Sequence, residues 1–178
     1  VVRRQRNFFH SSDGNELPPI SIYVGIPFCP TRCRYCSFAA YPLGSHGHLL
    51  PGFFRALLEE IRRVGSFIRE NQVPVETWYI GGGTPTVLTA SELRLLLETM
   101  HQQLPEAPLE FTVEAGRPDT ITLEKLAVLK ELGVNRLSIN PQTMHQKTLD
   151  AIGRDHTVSQ VVEAFAMARR VGFSVVNA

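Results

Sequence analysis

An α/β fold of parallel strands covered by helices is predicted by two observations. Short β-prone runs alternate with amphipathic helical stretches along most of the 178 residues, in a repeating order of strand, loop and helix. The residues that look least like core, namely Cys29, Cys33, Cys36, the glycines at 81–83, Glu114, Gln142 and Arg154, all follow the C-terminal ends of predicted strands. Alternation with right-handed crossovers makes either a doubly wound sheet or a barrel, and periodicity alone does not choose between them. The placement does, because in a barrel the strand C-terminal ends converge on one mouth.

Residues 1–19 are basic and then polar, with a turn at Ser11-Ser12-Asp13-Gly14-Asn15 and a stop at Pro18-Pro19. This reads as an N-terminal arm or linker, and residues 20–178 as one domain. Arg3, Arg4 and Arg6 are either solvated surface charge or partners for substrate carboxylates. Residues 21–26 alternate as a first strand, and Pro27 ends the ladder so that the cysteines fall in a loop. Residues 41–48 read as loop from their Gly and Pro content, with His46 and His48 as exposed loop histidines. A helix over 53–71 carries Phe54, Leu57, Leu58, Ile61, Val64 and Ile68 on one stripe. A second strand over 75–80 runs into Gly81-Gly82-Gly83-Thr84.

The helix over 89–103 starts with a capping box, Thr89 and Glu92, and buries Leu93, Leu96, Leu97 and Met100. A third strand over 109–114 ends on the lone carboxylate of Glu114, and a helix over 122–132 closes on Gly133 as a left-handed cap. A fourth strand over 134–140 precedes a short helix near 144–152. A longer helix over 158–171, capped by Gly172, and a fifth strand over 173–177 complete the pattern.

The three cysteines are all that the chain contains, spaced CxxxCxxC. A closed four-cysteine zinc site or an ordinary four-cysteine cluster is therefore impossible within one chain. Soft thiolates on a loop suit an iron–sulfur cluster with one iron left open to a non-protein ligand. The spacing also admits buried small hydrophobes, a disulfide with a spare thiol, or zinc completed by His10, His46 or His48.

Tyr23-Val24-Gly25-Ile26-Pro27-Phe28-Cys29, with Cys33 and Cys36, resembles the cluster loop of radical S-adenosylmethionine (SAM) enzymes, most of all the oxygen-independent coproporphyrinogen III oxidase family with its HemN, HemW and HemZ branches. Likeness continues at Gly81-Gly82-Gly83-Thr84-Pro85-Thr86, Glu114, Gln142 and Ile152-Gly153-Arg154, over about residues 20–178. It implies a partial (β/α) barrel of about six units, of which this chain carries about five before a C-terminal truncation. It also implies a 4Fe–4S cluster on Cys29, Cys33 and Cys36, with SAM on the open iron, its sulfonium near the cluster for reductive cleavage. By the same resemblance SAM contacts Tyr23, Tyr35, Gly82, Gly83, Thr84, Glu114, Gln142 and Arg154. The glycines would let SAM approach backbone, with their N–H groups turned to its carboxylate.

Gly25, Ser37-Phe38 after Cys36, Asn140-Pro141, and the runs around Glu114 and Arg154 look most like the HemZ branch. The resemblance then implies oxidative decarboxylation of two coproporphyrinogen III propionates to vinyls, giving protoporphyrinogen IX, with a reducing donor such as flavodoxin or ferredoxin. A HemW-like haem-binding chaperone is the alternative. The composition is that of an ordinary globular domain, 43% hydrophobic and 20% charged, and a net charge of +1 supplies no case for nucleic acid or anionic membrane. No apolar stretch reaches the roughly 20 residues of a membrane span, and residues 1–4 lack a signal-peptide core, so a cytoplasmic, reducing setting is expected.

Overall fold

The computed structural model describes residues 18–104 and 108–178. Most of the expected arm, with its arginines and His10, lies outside the described residues. Five parallel strands form one sheet: β1 (Ile20–Ile26), β4 (Val75–Gly82), β5 (Glu110–Glu114), β6 (Arg136–Ser138) and β7 (Val175–Asn177). A second, two-stranded parallel pair, β2 (Phe28–Cys29) and β3 (Tyr41–Pro42), brackets the cysteine loop. The helices are α1 (Leu43–His46), α2 (Leu50–Glu70), α3 (Ala90–Gln103), α4 (Leu123–Glu131), α5 (Gln146–Ile152) and α6 (Val158–Val171).

Strand order in the large sheet follows chain order without reversal. A doubly wound sheet reverses at a switch point, whereas a barrel keeps adding strands on one side. Helices α2, α3, α4 and α6 pack each against the next in that order, so they form one layer following the sheet. The expected partial barrel is the arrangement observed, as an open sheet with β1 and β7 at its edges.

Pleating makes the two faces of this sheet different in kind. Val24, Ile80, Val113 and Leu137 pair in register across four strands and are buried, as are Trp78 and Phe111, paired nearer the strand starts and edge-to-face at 5.2 Å. This apolar face meets Leu93, Leu96, Leu97 and Met100 of α3 and Leu126 and Leu129 of α4 in one core. Tyr23, Tyr79, Thr112 and Arg136 pair across the opposite face, which is polar.

Local chemistry accounts for the helix ends. The Thr89–Glu92 capping box forms as expected, and Thr157 with Gln160 forms a second one that starts α6. Gly133 and Gly172 hold the positive φ that ends α4 and α6. Two expectations need correction. Residues 41–48 are not plain loop: Tyr41 joins β3, and Leu43–His46 and Gly47–Leu49 make helical turns leading into α2, which begins at Leu50 with Pro51 in its first turn. Val64 is 41% exposed and leaves the buried stripe of α2, where Gly65 takes the close position against Gln103.

That contact separates two glycines of one helix. A Cβ at Gly65 would stand 2.5 Å from the Gln103 carbonyl oxygen, whereas one at Gly52 meets nothing within 4 Å. Replacement by alanine favours a helix by up to about 1 kcal/mol, and forcing a methyl into packed backbone costs about 1–3 kcal/mol. Gly52→Ala is expected to raise the urea midpoint of unfolding and Gly65→Ala to lower it.

Candidate functional site

The cysteine loop is fixed at both ends by backbone. The Tyr41 N–H donates to the Pro27 carbonyl at 2.7 Å, which places Cys29 on the short strand β2 rather than in open loop. Phe28 anchors that strand by packing edge-on against Phe53 of α2, ring centres 5.4 Å apart. Within the loop the Cys36 N–H donates to the Cys33 carbonyl at 3.1 Å, and the Arg34 N–H donates to the Ile152 carbonyl at 2.9 Å. All three thiols are free; Cys29 is buried, and Cys33 and Cys36 are partly exposed.

Across from the loop lies the glycine run that ends β4. Gly82 adopts φ +106°, and a Cβ there would stand 3.0 Å from the Ile26 nitrogen. A Cβ on Gly83 would stand 2.7 Å from the Phe28 carbonyl oxygen and 3.0 Å from Cys29 Sγ. The space beside the thiols therefore exists because these positions carry no side chain. Both N–H groups are engaged internally: Gly83 donates to the Ile26 carbonyl at 2.8 Å and Gly82 to Glu114 Oε2 at 3.2 Å. They are thus engaged within the fold, contrary to the expectation that they face a ligand carboxylate. Thr84, fully buried, sets its hydroxyl 3.3 Å from Cys29 Sγ. Burial pushes the Cys29 thiol up, against the pull of Thr84 and of the Arg117 charge.

Glu114, at the end of β5, accepts from the Tyr79 hydroxyl at 2.5 Å as well as from Gly82. Burial first, and then the bond to Glu114, push Tyr79 far above its ordinary value, so it stays a donor. Tyr23 stacks on Tyr79 with ring centres 5.7 Å apart, leaving its own ring 62% exposed. Tyr35 is also half-exposed, while Gln142 holds a left-handed backbone with φ 66°.

Two buried arginines close the far side. Arg154 donates to the carbonyls of Gly116 and Asn140, both at 3.1 Å, and its Nε is buried without a partner. Arg117, 2% exposed, grips Asp119 with Nε and Nη2, both at 2.9 Å, and reaches Thr31 Oγ1 with Nη1 at 3.2 Å. Behind Asp119 sits His156, fully buried, with Nδ1 4.0 Å from Asp119 Oδ1 and neither ring nitrogen hydrogen-bonded. Burial pushes its pKa down, and the nearby Arg154 charge adds to the fall.

One cavity brings these groups together. Tyr23, Cys29, Cys33, Tyr35, Cys36, Gly82, Gly83, Thr84, Glu114, Gln142 and Arg154, every site residue expected from the sequence, line it. Arg117, Thr31 and Asn140 line it too and were not expected, and Tyr79 acts on it through Glu114. The sequence alone carries no signal for Tyr79, because the register that sets it beside Thr112, two residues before Glu114, depends on pairing with a remote strand. Among the described residues no three His, Cys, Asp or Glu side chains converge on a single metal ion. Three thiolates lining one cavity suit instead a cluster that offers each of them its own iron.

Comparison with known proteins agrees with this geometry. Residues 23–178 match the radical SAM superfamily. The chain is 48% identical over 160 residues to the "oxygen-independent coproporphyrinogen-III oxidase-like protein HemZ" of Bacillus subtilis, covering 89% of this chain and 32% of that protein. It is 39% identical to the heme chaperone HemW of the same organism, covering 88% of this chain and 41% of the relative. Among solved structures, coproporphyrinogen III oxidase HemN from Escherichia coli, described as a radical SAM enzyme, superimposes with a TM-score of 0.79 at 27% identity, over 89% of this chain and 36% of that one. The chain thus spans roughly a third to two fifths of the length of these relatives.

Two outcomes follow from the site's packing. Gly83→Ala, which drives a methyl toward Phe28 and Cys29, is expected to keep the far-ultraviolet circular dichroism of the parent while losing most of the iron taken up on anaerobic reconstitution. For His156, whose folded pKa is depressed, the unfolded chain binds the proton first as pH falls below about 6.5, so stability declines there. Urea unfolding at about pH 7.5 and about pH 5.5 should show a smaller acid loss for His156→Gln than for the parent.

Proposed function

The chain belongs to the radical SAM superfamily, and on that footing we propose that it serves the oxygen-independent conversion of coproporphyrinogen III to protoporphyrinogen IX. The superfamily's cofactors are a 4Fe–4S cluster and SAM, which together supply hydrogen abstraction from unactivated carbon. The observation that carries the reading is the single cavity lined by the three cysteines, the glycine run, Glu114 and Arg154. Cys29, Cys33 and Cys36 are the three ligands this chain offers a cluster. Gly82 and Gly83 give a bound nucleoside or amino acid close access to backbone, while Glu114 and Arg154 place opposite charges on one cavity, as an ammonium and a carboxylate require. Tyr23 and Tyr35 offer exposed rings at its rim, and Gln142 offers a donor and an acceptor.

The substrate reading is supported by the 48% identity to the oxidase-like HemZ and by the structural likeness to HemN. Each of two propionates would lose one hydrogen beside the pyrrole, one electron to an acceptor, and carbon dioxide, leaving a vinyl group. A low-potential donor of the flavodoxin or ferredoxin kind would supply the electron that cleaves SAM, in a reducing, cytoplasmic setting. No described helix is long and apolar enough to cross a membrane. The 39% identity to HemW favours a second reading, a haem chaperone on the same scaffold.

Turnover separates the two. The reconstituted protein, reduced beforehand with dithionite and then given SAM, coproporphyrinogen III and a one-electron acceptor without oxygen, is expected to form protoporphyrinogen IX with one 5′-deoxyadenosine per propionate lost. Stoichiometric haem binding with no decarboxylation would overturn the oxidase reading in favour of the chaperone.

A further inference from the structure

We infer that Arg117 is a charge-setting positioning residue of the cluster loop: it fixes the loop through Thr31 and raises the reduction potential of the cluster that Cys29, Cys33 and Cys36 hold. The inference concerns the cluster site alone and is the same for an oxidase and for a chaperone.

Arg117 is buried to 2% exposure on the wall of the cavity that the three cysteines line. Removing a guanidinium from water is costly, so an arginine is held there only by good partners. Its fork, Nε and Nη2, lies flat on the two oxygens of Asp119, and Asp155 stands 3.9 Å from Nη2. An arginine kept for structure alone would be satisfied by that bidentate pair. The remaining nitrogen, Nη1, turns to residue 31 and donates to both the hydroxyl at 3.2 Å and the carbonyl at 3.4 Å. Thr31 lies between Cys29 and Cys33 in the chain. The guanidinium thus stands between the carboxylate and the cysteine loop, its cationic edge toward the loop and its counter-charge behind it.

Reduction adds one negative charge to a cluster already bound by thiolates. A cation on the wall of the same cavity stabilises the reduced form more than the oxidised one, and nearby charge and hydrogen bonding are what set such potentials. Asp119 opposes the effect from farther away. His156, behind Asp119 and without a hydrogen bond of its own, adds no charge while neutral.

The signs make the test. The protein is reconstituted anaerobically with iron and sulfide and titrated with dithionite through redox mediators, the reduced cluster being followed by EPR. Arg117→Gln should shift the midpoint to more negative potential. Asp119→Asn, which removes the counter-charge and leaves the cation, should shift it to more positive potential. Arg117→Lys, which keeps the charge and loses the fork, should stay nearer the parent than Arg117→Gln while binding less iron. Shifts of the same sign in Arg117→Gln and Asp119→Asn, or no shift in either, would overturn the inference, since a merely structural pair predicts one of these. Should Arg117→Gln fail to hold a cluster, a midpoint unmoved or lowered in Asp119→Asn overturns it equally.

Discussion

The site depends on the parallel pairing of β1 with β4, kept in register from Ser21 opposite Thr77 as far as Ile26 opposite Gly82. That pairing lays the start of the cysteine loop directly over the end of β4, backbone against backbone. Any side chain at Gly82 or Gly83 would collide with Ile26 or Phe28. The loop itself has little regular structure, so it is held by contacts from several directions. Ile26 accepts from Gly83, Pro27 from Tyr41, Ile152 from Arg34, and Thr31 from Arg117. These partners come from β4, β3, the end of α5 and the turn after β5. The position of the thiols is therefore a property of the whole half-barrel rather than of the CxxxCxxC segment.

The two-faced sheet explains how a fold of this kind leaves room for chemistry. Parallel sheets are usually buried on both faces and read as continuous apolar runs. Here β1 alternates, with Ile22, Val24 and Ile26 toward the helices and Ser21, Tyr23 and Gly25 on the other side. Strands β4, β5 and β6 repeat the pattern with Tyr79 and Gly81, Thr112 and Glu114, and Arg136 and Ser138 on the polar face. Helices cover the apolar face in one layer. The polar face is the one that carries Glu114 and, at its strand ends, the cavity.

Much of this was legible in the residue pattern because it is local. Period-two alternation marks the strands, Thr89 with Glu92 marks a helix start, and a glycine after each of two helices marks its end. The cysteines, the glycine run, Glu114, Gln142 and Arg154 stood out as unusual residues after strand ends, but their cofactor roles came from the family resemblance of those motifs. What was missed depends on contacts remote in sequence. Pro42, Gly44 and Gly47 argue locally for loop, but the rings of Phe28 and His46 pack on Tyr41 and the turns run on into α2. The Arg117, Asp119 and His156 group joins two segments more than thirty residues apart, and each residue alone reads as a solvated side chain of a loop. Tyr79 reads as a strand aromatic until the register sets it beside Thr112.

Charge balance separates the two buried arginines in a way their residue type does not. Arg117 is neutralised by Asp119, so its effect on the cavity is that of an oriented dipole. Arg154 gives its donors to two backbone carbonyls, and no carboxylate among the described residues pairs with it. Its charge is therefore uncompensated inside the fold. Glu114 is in the mirror situation, since its partners, the Tyr79 hydroxyl and the Gly82 N–H, are both neutral. Arg154, on the loop after α5, and Glu114, at the end of β5, thus bring opposite charges to one cavity, which Arg32 of the cysteine loop also lines. Opposite charges set apart on one cavity complement a ligand that carries both signs better than one that carries either alone.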